Sequence, residues 1–382
     1  MNASQLKTAV VASVLLVALS GCAGDRSAVS SLPCAGKQIL EASGSTAQAI
    51  AMARFITTYE RACPGRSVTY TPNDSGNGVS EFVAGKTDFA GTDSPVVPSS
   101  ADWAGDDWGG DDWGGDDWGG DDWGRAQARC NGNGPWNLPL VFGPIALTYN
   151  VFGVDSLVLD PPAIAKIFTG RINTWDAPEI AALNPDLHLP RQPIVVFFRS
   201  DHSGTTDNFQ KYLQSAAGPA WDRGAGKEFR GGVGRGRSGN AGTSAEIAQT
   251  PGSVTYSEWS FAQKQGLSVA RIITSAGSEP VTLSAESVTA SISGIRVNGR
   301  AHDLVLDTST LYQPTRRGAY PIVLATYEVV CPTYADREVA KAVRDFLGIA
   351  LTDGQAGLTD IGYVPVTAEI VERLKAAIGA IL

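Results

Sequence analysis

Strand-like and helix-like segments alternate along most of this chain, and no other feature limits its fold as strongly. Residues 38–42 read as a strand, and Ala49, Met52, Ile56 and Tyr59 then mark a helix face. Val68 and Tyr70 alternate in a second strand, Val79, Phe82 and Val83 mark a second helix, and 88–91 is a short stretch of buried character. Residues 145–149 and 194–198 are strand-like, and Phe209, Tyr212 and Leu213 share a helix face. The strand pattern returns at 320–330, before a helical stripe of Val339, Val343, Phe346, Leu347 and Ala350. Such alternation predicts an α/β fold with largely parallel strands. At 382 residues the chain exceeds one small core and fits two domains.

Residues 1–21 read as a targeting leader: Lys7 gives a weak basic start and 9–19 is apolar. That run is too short for a bilayer span, which takes about 20 residues. It ends in Leu19-Ser20-Gly21-Cys22, the pattern of a bacterial lipobox. Cleavage before Cys22 and acylation of its thiol would anchor the chain stably once two or more acyl chains are attached. The alternative is an ordinary leader that happens to end near a cysteine. Residues 22–33, rich in Ser, Gly and Ala, read as a tether. Four cysteines remain, Cys34, Cys63, Cys130 and Cys331, and an even count in an exported chain favours disulfides over free thiols. Cys34 precedes a strand and Cys63 follows the returning helix, which brings the two together. This predicts Cys34–Cys63 and leaves Cys130–Cys331.

The net charge of −9 is carried by one segment: 102–124 holds nine aspartates and no basic residue. It repeats Asp-Asp-Trp-Gly-Gly with a period that fits neither helix nor strand, so we read it as a mobile acidic insert. The remaining body is charge-balanced, which argues against a nucleic-acid partner. Residues 224–243 are glycine-rich without the lysine of a phosphate loop, and read as a surface loop.

One arrangement recurs three times. Gly44-Ser45-Thr46, Asp74-Ser75-Gly76-Asn77-Gly78 and Ser203-Gly204-Thr205-Thr206 each follow a strand and open a helix. The first turn of a helix has unpaired N–H groups that favour anions. Glycine admits a close ligand, and Ser or Thr adds neutral hydroxyl donors. One such loop is a plain N-cap. Three, each at a strand's carboxyl end, predict a tetrahedral oxyanion bound where open α/β sheets place ligands. Arg199 adds a planar cationic fork, and Asp201 is expected to pair with it. Asp93, in Gly91-Thr92-Asp93-Ser94-Pro95, makes sense beside an anion only if the ligand carries a proton. Hydrogen phosphate has one to give; sulfate, fully ionised at neutral pH, does not.

An enzyme is disfavoured. There is no Gly-x-Ser-x-Gly elbow, and His188, His202 and His302 have no metal-ligand spacing, so neither metal nor cofactor is expected. Another oxyanion, sulfate or molybdate, is the closer alternative, and a surface lipoprotein that has lost its ligand is a further one.

Together these residues resemble the phosphate-binding protein of the bacterial phosphate ABC importer, the Pst system, most closely its mycobacterial lipoprotein versions. The likeness spans about 34–382 and rests on Gly44-Ser45-Thr46-Ala47, Asp74-Ser75-Gly76, 89–95 and Arg199-Ser200-Asp201-His202-Ser203-Gly204-Thr205. The resemblance implies phosphate contacts from Ser45, Thr46, the Ala47 backbone, Ser75, Asp93, Arg199, Ser203, Gly204 and Thr205, with Asp201 behind Arg199. It implies a type II periplasmic-binding fold with a cleft between two lobes, one of 34–142 plus 321–382 and one of 143–320. It implies a monomer outside the membrane that hands inorganic phosphate to permease subunits. The second loop departs from the family pattern at Gly76 and Asn77, which leaves open which of its donors reaches the ligand. The acidic repeat is not a family feature.

Overall fold

A computed structural model of the chain describes residues 34–98 and 120–382. The leader, Cys22, the tether and most of the acidic repeat lie outside the described residues.

β1 (Ile39–Gly44) and β2 (Ser67–Thr71) are parallel, and the helix Ala49–Ala62 connects them. That helix buries Ala51, Met52, Phe55 and Tyr59, spaced three or four apart on one stripe. After the helix Ser75–Val83, β3 (Phe89–Thr92) pairs parallel with the other edge of β1. The chain then enters the long β4 (Trp136–Asn150), followed by β5 (Val158–Leu159), β6 (Val195–Arg199), β7 (Arg235–Arg237) and β8 (Ser253–Glu258). β9 (Ser268–Val269), β10 (Arg271–Thr274), β11 (Gly277–Val281), β12 (Val323–Val330) and β13 (Val364–Pro365) complete the strands of the described residues.

The main sheet runs β2-β1-β3-β12-β4-β8-β6-β7, with β9 and β13 also pairing with β4; β11-β10-β5 form a second small sheet. The sheet is mixed rather than largely parallel. Two parallel sets, β2-β1-β3 and β8-β6-β7, flank the antiparallel pair β12 and β4. The alternation in the sequence reports the strand–helix–strand units but not the direction of strands that return without a crossover helix. β4 joins the two sets: it pairs with β12 up to Pro144 and with β8 from Ile145 onward. A register shift in the β12 pairing falls opposite Pro139, which has no N–H to give the ladder.

Both predicted disulfides are present, with Cα–Cα separations of 5.4 Å for Cys34–Cys63 and 5.1 Å for Cys130–Cys331. The second bond ties the helix Gly120–Arg129 to the end of β12. This helix corrects the reading of 102–124 as one loop, because its first residues belong to the repeat. Trp123 packs against the core, Ala126 is fully buried and Arg125 pairs with Asp122 at 3.4 Å. Tertiary packing of one tryptophan outweighs a glycine-rich composition.

Candidate functional site

The site begins where the strands of the two parallel sets end. β1 stops at Gly44, whose φ of +145° no side chain adopts readily; a Cβ there would also strike the carbonyl of Gly91 on β3. The Ser45 N–H donates to the Gly91 carbonyl (2.8 Å), and Ser45 Oγ accepts the N–H of Ala47 (3.0 Å). The Ala47 carbonyl accepts the Tyr363 hydroxyl (2.5 Å).

In the second loop Asp74 takes φ +138°, a strained value for a residue with a side chain. Its N–H donates to the Gly44 carbonyl (3.0 Å), and its carboxylate caps the helix Ser75–Val83 by accepting the N–H and Nδ2 of Asn77 at 2.6 and 2.7 Å. Asn77 is thereby committed to the cap. Ser75 Oγ instead accepts the Asp93 N–H at 3.2 Å, just beyond the end of β3.

The opposing arm starts at the end of β6. Asp201 accepts Arg199 Nε and Nη2 at 2.7 and 2.5 Å, and Arg199 Nη1 donates to Thr205 Oγ1 at 3.4 Å. The Arg199 N–H donates to the Tyr256 hydroxyl (3.2 Å). Ser203 caps the helix Gly204–Ala216 by accepting the Thr206 N–H (3.1 Å). Gly204 is obligatory for a spatial reason: a Cβ would lie 2.6 Å from Asp93 Cβ and 2.7 Å from Ser75 Oγ.

The arms touch. Thr205 Oγ1 donates to Asp93 Oδ2 (3.3 Å), Asn208 Nδ2 to the Asp93 carbonyl (2.8 Å), Gly76 N–H to the His202 carbonyl (3.1 Å) and Ser94 Oγ to Asp207 Oδ2 (2.6 Å). Ser45, Thr46, Ala47, Ser75, Asp93, Arg199, Ser203, Gly204 and Thr205 are all buried, with Arg199 only 2% exposed. Burial pushes the Asp93 carboxyl up to about 6, against the pull of the Ser45 hydroxyl, Arg199 and the Thr205 hydroxyl. Its Oδ1 is buried without a hydrogen-bond partner among the described residues. Burial also holds Glu258 and Glu328 well above the usual carboxylate range, and Asp93 adds to both shifts. The arrangement supplies hydroxyl donors, one cationic fork neutralised by its own aspartate, and one carboxylate with an acceptor oxygen to spare. His202 faces Glu228 at 3.3 Å on the exposed side, away from any role as a base toward Ser203.

The sequence reading missed one element of the site. The glycine-rich segment expected at the surface forms β7 and opens the helix Gly239–Gln249, and Asn240 is fully buried against Thr46 and Thr205. Three residues of strand show no periodicity, and the glycines on both sides masked it. The available signal was a fourth strand end followed by small residues and a helix.

Residues 28–351 match the model of the PBP superfamily domain. The phosphate-binding protein PstS 3 of Mycobacterium tuberculosis is 53% identical over 348 residues, covering 91% of this chain and 88% of that protein. The phosphate-binding protein PstS of Methanocaldococcus jannaschii is 30% identical over 360 residues, 90% of this chain and 86% of its own length. Among solved structures, a high-affinity periplasmic phosphate-binding protein, PfluDING, bound with phosphate, superposes with a TM-score of 0.68 over 89% of this chain and 93% of its own. Its 22% identity makes that a likeness of fold. The chain is therefore a member of the PBP superfamily with the two-lobe α/β periplasmic-binding fold, and within it belongs to the PstS family of substrate-binding proteins found in mycobacteria.

Proposed function

We propose that this protein captures inorganic phosphate outside the membrane, held there by acylated Cys22, and as a monomer delivers it to the permease subunits of an ABC importer. Phosphate oxygens are taken by the hydroxyls of Ser45, Thr46, Ser75, Ser203 and Thr205, by the N–H groups of Ala47 and Gly204, and by Arg199. The ligand's proton is given to Asp93, while Asp201 fixes the Arg199 fork. The lobes are 34–142 with 321–382, and 143–320; the change of β4 partner between Pro144 and Ile145 supports a hinge there. Closure of two rigid lobes over a small anion is the motion such a hinge permits.

The observation that carries this reading is Asp93: a carboxylate 3% exposed, within reach of Arg199 through Thr205, with one oxygen unpartnered among the described residues. A carboxylate in that position repels a fully ionised tetraoxyanion and welcomes one with a hydrogen. Isothermal titration of the mature chain with phosphate, alone and in competition with excess sulfate, is the test. Tight phosphate binding that sulfate leaves intact is expected; equal affinity for both anions, or hydrolysis of a phosphate ester, defeats the reading.

A further inference from the structure

Asn240 is a fully buried uncharged side chain that touches both arms. It enters the site because β7 pairs parallel with β6 in the register Arg237↔Arg199, so the two chains leave the sheet side by side. Gly239 turns with φ +69° and its N–H donates to both oxygens of Asp201, at 3.3 and 3.2 Å. Asn240 then spends every polar atom of its side chain. Its Oδ1 accepts the Glu258 N–H at 3.0 Å, which fixes the orientation of the amide. Nδ2 donates to Thr46 Oγ1 (3.1 Å) and to Thr205 Oγ1 (3.4 Å), and the Asn240 N–H also donates to Thr46 Oγ1 (3.3 Å).

A hydroxyl accepts two hydrogen bonds and donates one. Thr46 Oγ1 receives two from Asn240, so only its hydrogen remains. Thr205 Oγ1 receives one from Asn240 and one from Arg199, so it too is left with its hydrogen, which lies toward Asp93 Oδ2. We propose that Asn240 is a positioning and specificity-determining residue: by filling the acceptor sites of Thr46 and Thr205 it makes both hydroxyls obligate donors, one from each arm. A protonated ligand oxygen then finds no acceptor at either threonine, and the charged acceptor that faces them is Asp93. Asn240 sharpens the discrimination ascribed to Asp93 by removing two competing places for the ligand's hydrogen. This rests on the phosphate reading above.

The test is a double-mutant cycle between Asn240→Ala and Thr46→Val, with phosphate affinity measured by titration calorimetry and sulfate affinity alongside. Asn240→Ala is expected to weaken phosphate by about tenfold, the scale of one buried hydrogen bond. In the Thr46→Val background the same change is expected to cost less than about threefold, because one of the two hydroxyls it directs, the one held by two of its hydrogen bonds, is gone. The phosphate-to-sulfate ratio should narrow in Asn240→Ala. A melting curve of Asn240→Ala guards against a folding defect; Asn240→Asp, which keeps the acceptor for the Glu258 N–H but buries a carboxylate, is expected to lose phosphate more severely, as both hydroxyls turn toward the new carboxylate. Fully additive losses with an unchanged anion ratio overturn the proposal even when the unmodified chain binds phosphate well. Failure of the unmodified chain to bind phosphate removes the parent reading and this one with it.

Discussion

The arm that carries Arg199 and the arm that carries Asp93 face each other through Thr205, yet they treat charge in opposite ways. Arg199 is paired on one edge by Asp201, which is itself held by the Gly239 N–H. Its charge is solvated by the protein before any ligand arrives. Asp93 has one oxygen bonded and one without a partner among the described residues, and burial, helped by the Asp207 charge, raises its carboxyl to about 6 against the pull of Ser45, Arg199 and Thr205. A site with one satisfied cation and one unsatisfied anion is tuned less for attraction than for choice. Donors are plentiful and set the affinity; the single acceptor sets which anion is admitted.

The most damaging way to break this contrast is Arg199→Ala. It removes the fork and leaves the half-buried Asp201 with only the Gly239 N–H, a loss of up to about 3 kcal/mol for breaking such a pair. Phosphate affinity measured by calorimetry should fall by more than a hundredfold, and sulfate affinity with it.

Asp93→Asn should act on selectivity instead. Phosphate is expected to weaken about tenfold or more while sulfate tightens, so competition titration should show the ratio collapse. The same variant sharpens the comparison through stability. The folded Asp93 carboxyl titrates near 6 and the unfolded one near 4, so the folded chain binds the extra proton between those values. Stability from this group is fully present below about pH 4 and is lost as pH rises through about 6, a cost of about 3 kcal/mol at neutral pH. In phosphate-free buffer Asp93→Asn should melt higher than the parent at pH 8 and at the same temperature at pH 4.

Ser75→Ala removes the acceptor of the Asp93 N–H, and an affinity loss of about tenfold is expected for one buried hydrogen bond. In the unmodified protein, sulfate should compete better as pH falls through about 6, because a protonated Asp93 donates where it formerly repelled. Asp201→Asn is the mildest change. It keeps the shape behind Arg199 and should alter both anions alike, by less than about fivefold; a shift in selectivity would mean that Asp201, not Asp93, does the sorting.

Much of this was readable in the chain. The stripe of Ala51, Met52, Phe55 and Tyr59 and the strand ends at Gly44, Asp74 and Arg199 follow local rules of period, capping and turn chemistry. The Cys34–Cys63 bond follows from one strand and one returning helix. Asn240 followed no such rule, because a strand of three residues between glycines carries no pattern. The helix Gly120–Arg129 was hidden for the opposite reason: a strong repeat pattern concealed Trp123, whose packing decides the structure.

By itself the sequence determined the fold class, the donor-bearing helix starts, the Arg199–Asp201 pair and the disulfide partners. Each of these depends on residues close in the chain or on one simple path between them. Only the tertiary structure decided the mixed direction of the sheet, the commitment of Asn77 to a cap and the meeting of Thr46, Thr205 and Asn240. Those outcomes depend on which strand ends lie side by side, and non-local pairing of that kind leaves no period in the chain to read.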